Sequence, residues 1–128
     1  MKSSLLWGSA LGALSVILGA FGAHALSDHF NQDQLNWWNT AQYYQVIHTF
    51  ALLATGILGY HFNDAWLKRA SLLFLLGTAF FSGSLYVMAL TEARWLGAVT
   101  PLGGMLMIGG WISLFLAIRK TTQSKLEG

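Results

Sequence analysis

The chain has 128 residues, of which 55% are hydrophobic and only 9% are charged. Soluble domains average about 45–50% apolar and about 25% charged residues, so the composition excludes an ordinary water-soluble domain and indicates one domain surrounded mostly by lipid. The formal net charge is +2 and the sequence contains no cysteine, which excludes disulfides and thiolate chemistry. The basic residues form no stripe with stacking aromatic residues, so we predict no nucleic-acid partner.

The charged residues leave four uncharged windows, at 3–27, 34–63, 70–91 and 95–118. Each window can hold the roughly 20 apolar residues that a helix needs to cross the hydrocarbon core. Strand-like alternation is absent, and only helices and closed barrels satisfy their backbone groups in lipid. We therefore predict an all-α fold, a single membrane domain over 1–128, as an antiparallel four-helix bundle with spans of about 5–24, 40–61, 70–90 and 96–118.

The basic residues predict the orientation. Arg94 is the only one in the first and third loops, and the other six lie at the two ends of the chain and in the second loop: Lys2, Lys68, Arg69, Arg119, Lys120 and Lys125. Because cytoplasmic loops carry an excess of Lys and Arg, both termini are predicted to be cytoplasmic.

Small residues mark one face of the first span. They recur at spacings of four, three, four and three, at Gly8, Gly12, Ser15, Gly19 and Gly22. Such a face lets another backbone approach closely, so we predict a helix-packing surface, with Gly103 and Gly104 as further packing residues in the fourth span. A nucleotide-binding loop is excluded, because no strand precedes these glycines and no Gly-Lys-Ser/Thr follows them.

The end of the first span allows two interpretations. Ala23-His24-Ala25 has the small-x-small form of a signal-peptidase site, so the segment is either a cleaved signal or a retained membrane span. Removal would place the remaining termini on opposite faces of the membrane, and we expect a retained span. Mass spectrometry of the mature chain would decide.

The loop after the first span is polar. We predict a short interfacial helix over 28–38, capped by Ser27 or Asp28 and held at the headgroup level by Phe30, Trp37 and Trp38, with the second membrane helix beginning near Thr40.

The later helix starts carry local signals. Asn63 or Asp64 is expected to cap the third helix, and Pro101 fits the first turns of a fourth helix that begins at Leu96. Arg94 either forms an exposed ion pair with Glu92 in the third loop or faces inward and attracts anions.

Polar side chains of all four spans fall in the outer half of the predicted bundle. The candidate pocket residues are His24, Gln45, His48, Ser82, Ser84, Tyr86, Arg94 and Thr100. They form either hydrogen bonds between helices or a hydrated pocket in which His48 binds a small polar solute or relays a proton. No carboxylate within the spans orients a histidine, and no paired ligands lie at one depth. We therefore predict no catalytic site, no metal and no cofactor.

Three segments together carry a family resemblance: LGAFGAHAL at 18–26, WWNTAQYYQVIHTFALL at 37–53 and FSGSLYVMALTEARWLGAVTPLGG at 81–104. They resemble the YgdD/YwdK-like family of small bacterial inner-membrane proteins, a family of unknown function. The resemblance implies a four-helix protein of the bacterial cytoplasmic (inner) membrane and supplies no activity.

We predict a structural or accessory membrane component that assembles through its glycine-rich helix faces. Its partners would be the lipid bilayer and either a second copy or another membrane protein. The alternative is an oligomeric carrier or proton-relay protein for a small polar solute, with an outward-facing pocket around His48.

Overall fold

A computed structural model describes all residues 1–128 as four long helices without a strand, which confirms the all-α prediction. The helices are α1 (Lys2–Phe21), α2 (Gln32–Leu58), α3 (Ala65–Thr91) and α4 (Thr100–Leu126). A π-helical turn, Gly22–Leu26, continues α1, and a 3₁₀ turn, Arg94–Ala98, precedes α4.

The central pair of the fold is α2 and α3. These two helices pack against each other, α1 packs on α2, and α4 packs on α3, each pair running antiparallel. Two clusters of buried apolar residues lie at opposite ends of the central pair. One is built around Trp38 and Tyr86, and the other around Leu67 and Phe74. The helices α1 and α4 therefore bury less of their surface than the central pair, and each leaves a broad apolar face exposed.

The small-residue face of α1 lies against α2. A Cβ atom built on Gly8 would come 2.7 Å from Leu53 Cδ2, and one built on Gly22 would come 2.2 Å from Trp38 Nε1. Between these two positions, Gly12 faces Thr49 and Gly19 faces Gln42. A Cβ atom at Gly8 or Gly22 would displace these neighbours, whereas one at Gly12 would make an ordinary 3.6 Å contact, so it is mainly Gly8 and Gly22 that permit the close approach of α1 to α2.

Glycines also hold α3 and α4 together. A Cβ atom on Gly103 would lie 2.3 Å from the backbone nitrogen of Phe81, whereas one on Gly104 would lie at an ordinary 3.7 Å from Phe81 Cδ2. Of these two adjacent glycines, only Gly103 is required by the packing. The glycine-rich faces predicted in α1 and α4 thus contact helices of the same chain.

The start of α2 differs from the prediction. The helix begins at Gln32, and its cap is Asn31, whose side chain accepts from the Gln34 backbone N–H at 2.9 Å while the Gln34 side chain accepts from the Asn31 N–H at 2.9 Å. This reciprocal capping box starts the helix eight residues before Thr40. The short separate helix over 28–38 with a cap at Ser27 or Asp28 is therefore wrong, and Trp37 and Trp38 lie within α2 itself.

The two later helices begin and end at recognisable signals. Asp64 caps α3, as predicted, by accepting from the Trp66 N–H at 2.7 Å. The end of α3 is marked by Glu92, which adopts a left-handed conformation with φ of 57°. Pro101 lies in the first turn of α4, but that helix begins at Thr100 rather than Leu96, because the preceding residues form the 3₁₀ turn.

Three helical segments are long and apolar enough to cross a membrane: Lys2–Leu26, Ala65–Thr91 and Arg94–Leu126. The helix α2 has 27 residues, equivalent to about 40 Å at ~1.5 Å per residue, which is also sufficient length. The part of α2 before Thr49, however, carries Asn36, Asn39, Gln42, Gln45 and His48, so this helix is less apolar than the others. Buried polar residues in this helix meet partners on the three other helices.

Candidate functional site

A chain of hydrogen bonds joins three helices at the level of Tyr86. Gln42 Nε2 donates to the Tyr86 hydroxyl at 2.6 Å, and that hydroxyl donates to Gln45 Oε1 at 2.5 Å. Gln45 Nε2 then donates to the carbonyl oxygen of Leu11 in α1 at 3.0 Å. Gln45 and Tyr86 are buried, and each polar atom of the phenol and of the Gln45 amide has a partner within the protein.

The serine residues of α3 form two further links between helices. Ser82 Oγ donates to the carbonyl oxygen of Ala41 in α2 at 2.8 Å. Ser84 Oγ lies 2.6 Å from Thr100 Oγ1 in α4 and 2.9 Å from the carbonyl oxygen of Phe81. Because a polar group buried without a partner costs about 1–3 kcal/mol, these bonds remove a penalty and fix the helices in register.

Both ring nitrogens of His48 are occupied. Nδ1 lies 2.7 Å from the carbonyl oxygen of Tyr44. Since a carbonyl oxygen can only accept, Nδ1 carries the hydrogen and Nε2 holds a lone pair. That lone pair accepts from the indole Nε1–H of Trp111 in α4 at 3.1 Å. His48 is therefore a neutral, fixed side chain, and neither nitrogen is free to bind a solute or a metal ion.

A cleft of about 270 Å³ lies beside His48, between α2 and α4. Its lining is mainly aromatic and aliphatic: Tyr44, His48, Phe81, Gly104, Met107, Ile108 and Trp111. Ser84 and Thr100 do not line it, and neither does the hydrogen-bonded group around Tyr86. The structure thus distributes the predicted pocket residues over separate contacts between helices.

Two predicted pocket residues lie away from the others. His24 is exposed on the π-helical turn. The Arg94 side chain is 67% exposed, and its Nη2 bonds Asp33 Oδ2 at 2.9 Å while the guanidinium carbon lies 5.1 Å from the centre of the Trp37 ring. The predicted Glu92 partner is wrong, because Glu92 instead accepts from Asn31 Nδ2. An exposed pair of this kind stabilises a protein by about 0–1 kcal/mol and ties the first loop to the third.

Two important partners were absent from the sequence prediction. Gln42 lies one turn before Gln45, so its spacing on the same face of α2 was an available signal. Trp111 lies in an apolar run of α4, 63 residues from His48, and nothing local in the sequence pairs the two.

One buried polar atom, Thr49 Oγ1, has no partner. No three His, Cys, Asp or Glu side chains lie close enough together to hold a metal ion.

At the opposite end of the molecule, an ion pair joins the second loop to α4. Lys120 Nζ lies 2.7 Å from Asp64 Oδ2. The hydrogen bond from Lys120, together with the one from the Trp66 backbone N–H, lowers the pKa of the Asp64 carboxyl below its ordinary value of 3.8. We name this end, which also carries Lys2, Lys68 and Arg69, the basic end.

The apolar helices and the internally bonded polar residues define a small helical membrane protein. Comparison with known proteins identifies its family. Residues 18–104 match the family described as "Protein of unknown function (DUF423)", and the chain belongs to that family.

Its relatives cover nearly its whole length. A UPF0382 membrane protein of Staphylococcus haemolyticus is 40% identical over 122 residues, which are 94% of this chain and 98% of that one. A UPF0382 membrane protein of Staphylococcus epidermidis is 41% identical, also over 122 residues, which are 94% of this chain and 98% of that one. The UPF0382 inner membrane protein YgdD of Escherichia coli is 38% identical over 116 residues, 90% of this chain and 88% of that one. No solved structure matches this chain.

Proposed function

We propose that the protein crosses the bacterial inner membrane four times, with both termini in the cytoplasm. The arrangement of charge supports this topology. Lys120 reaches Asp64 and the Met1 side chain packs against Gly59, so the start of α1, the second loop and the end of α4 lie together at the basic end. Arg94 is the only basic residue at the other end. The positive-inside rule then assigns the basic end to the cytoplasm.

The role that the geometry supports best is that of a structural or accessory membrane component. The observation that carries this proposal is the internal pairing of the polar side chains. Gln42, Gln45 and Tyr86 bond one another, and both nitrogens of His48 are used. A solute path needs polar groups that face water, whereas these groups hold α1, α2, α3 and α4 to one another.

Assembly with a second copy or another membrane protein would use a small-residue surface that the chain leaves free. The glycines of α1 and α4 already contact α2 and α3. On α3, Ala79 and Gly83 are four residues apart, Ala79 is exposed, and a Cβ atom on Gly83 would meet no atom within 4 Å. This small-xxx-small spacing suits close contact with another membrane helix.

The experiment is to extract the protein in polymer-bounded lipid discs and measure the mass of the particles. We expect assemblies larger than one chain for the wild type and a shift to single chains for Gly83→Leu, because Gly83 has room for the side chain within one copy but not beneath a partner helix. Ala10→Leu places the same leucine side chain at an exposed position of α1 and serves as the control. Single chains for the wild type, or equal masses for the two variants, would contradict assembly through this surface.

The alternative role is a carrier or proton relay around His48. The observation in its favour is the 270 Å³ cleft that His48 lines. Solute binding there would require breaking the bond between His48 and Trp111, because that bond occupies the only lone pair on the ring. A carrier would therefore show solute movement that depends on His48.

A further inference from the structure

A second cavity, of about 370 Å³, lies between α1 and α3 at the basic end. Its walls are of two kinds. Met1, Trp7, Leu52, Leu72 and Leu75 form an apolar part, and Ser3, Ser4, Ser71 and Lys68 form a polar part. A cavity that joins a cationic, hydroxyl-bearing region to an apolar one matches an amphipathic molecule.

Lys68 is the only charged side chain that lines this cavity, and its ammonium group forms no salt bridge within the chain. Two other charged side chains at this end already have partners: Asp64 is paired with Lys120, and the Arg69 guanidinium lies 4.6 Å from the centre of the Trp66 ring. No carboxylate lines the cavity. The local charge is therefore uncompensated and favours an anion.

The serine hydroxyl groups in the cavity supply a hydrogen-bond donor. Ser4 Oγ and Ser71 Oγ are buried and lie 2.5 Å apart, so one of their two hydroxyl hydrogens forms the bond between them. The hydrogen of the accepting serine has no acceptor in the protein. It is free to donate to an oxygen atom within the cavity that both residues line.

We propose that this cavity binds the headgroup of an anionic glycerophospholipid, with the Lys68 ammonium group and the one free hydroxyl hydrogen of the Ser4–Ser71 pair contacting the phosphate. The apolar part of the cavity, with Trp7, then receives the start of an acyl chain. Basic pockets between membrane helices on the cytoplasmic side bind anionic lipid headgroups in this way. The site depends on the membrane location of the chain and not on its accessory role.

The test is native mass spectrometry of the full-length protein, released from detergent micelles, during titration with phosphatidylglycerol. Phosphatidylcholine with the same acyl chains serves as the zwitterionic comparison. We expect one phosphatidylglycerol to bind in preference to phosphatidylcholine. Lys68→Gln should weaken that binding about five-fold, a factor typical of one basic residue beside an anionic lipid surface, and Lys68→Arg should restore it. Lys125→Gln removes an exposed charge in the last turn of α4, outside the cavity, and should leave binding unchanged.

Several results would overturn the proposal. Equal binding of the two lipids would show that the site does not select an anionic headgroup. Equal losses for Lys68→Gln and Lys125→Gln would show attraction to the general positive charge of the basic end. Complete displacement of the lipid by millimolar inorganic phosphate would identify a site for a free anion. Because Lys68 is exposed, its substitution should leave thermal unfolding unchanged, which separates lost binding from lost folding.

Discussion

The contact between Gly103 of α4 and Phe81 of α3 allows a direct test of the packing. In Gly103→Ala, the new methyl group would lie 2.3 Å from the Phe81 backbone nitrogen and 2.7 Å from its Cα atom. Non-bonded carbon atoms prefer separations of about 3.5–4.0 Å, so the two helices would have to move apart by roughly 1 Å. A backbone atom cannot rotate away as a side chain can, and the nearby contacts of Gly77 with Met107 and of Gly110 with Phe74 would loosen with it.

The adjacent substitution, Gly104→Ala, provides the matched control. Its methyl group would lie 3.7 Å from Phe81 Cδ2, an ordinary contact distance. Both variants replace a helical glycine by alanine and share the same gain in helix propensity, so their difference isolates the overpacking cost, which is about 1–3 kcal/mol.

The assay is denaturation of each variant in detergent micelles, followed by tryptophan fluorescence and circular dichroism. We expect Gly103→Ala to unfold at a clearly lower denaturant concentration or temperature than Gly104→Ala, which should equal or exceed the wild type. If the two variants unfold together, the close approach of α3 and α4 at Gly103 is wrong.

Three further predictions concern the polar contacts. Tyr86→Phe leaves the Gln42 and Gln45 amides without their shared partner and should destabilise the protein by about 1–3 kcal/mol in the same assay. Tyr43→Phe, at an exposed ring, should have little effect. Equal effects of the two substitutions would show that the Tyr86 hydroxyl does not stabilise the contact between helices. Folding lowers the pKa of Asp64, so the stability that this carboxylate contributes is complete above the unfolded pKa near 3.8 and is lost as the pH falls through the lower folded pKa. Asp64→Asn should therefore flatten the dependence of stability on pH below about pH 4. An unchanged dependence in acid would contradict the Lys120 contact. Asp33→Asn should change stability by less than about 1 kcal/mol, because the Arg94 pair is exposed, and a larger loss would show that this pair is not solvated as described.

The sequence was informative wherever the determining signal is local. Hydrophobic windows and the absence of strand alternation predicted four helices, and the side chain of Asp64 and the position of Pro101 marked two helix starts. The spacing of small residues in α1 identified a packing face, since residues three and four apart share one side of a helix. Each of these features depends on residues of one helix or of its ends, and none requires knowing how separate helices align.

The partners of the polar side chains could not be predicted, because they depend on how separate helices align. Arg94 pairs with Asp33, 61 positions away, although Glu92 is nearer in the sequence. His48 meets Trp111 only because α4 packs beside α3 in a particular rotation. Similarly, Gly103 and Gly104 look alike in the sequence, and only the packed structure distinguishes the one that contacts backbone.

The start of α2 shows the limit of composition as a guide. The segment 28–38 is polar and contains two tryptophans, which suggested a surface helix at the headgroup level. The capping box of Asn31 and Gln34 instead begins a helix that continues without interruption to Leu58. Trp38 is buried in the core and donates from Nε1 to the Leu18 carbonyl oxygen at 3.1 Å, so its role is packing between helices.

The measurement that tests the central claim most directly is proton movement across the membrane of sealed liposomes that contain the purified protein and an internal pH-sensitive dye. Since the polar groups of the interior bond one another, we expect no flux beyond that of protein-free liposomes, for the wild type and for His48→Phe alike. Flux in the wild type that His48→Phe abolishes would contradict the accessory role and establish a pathway through the cleft beside His48.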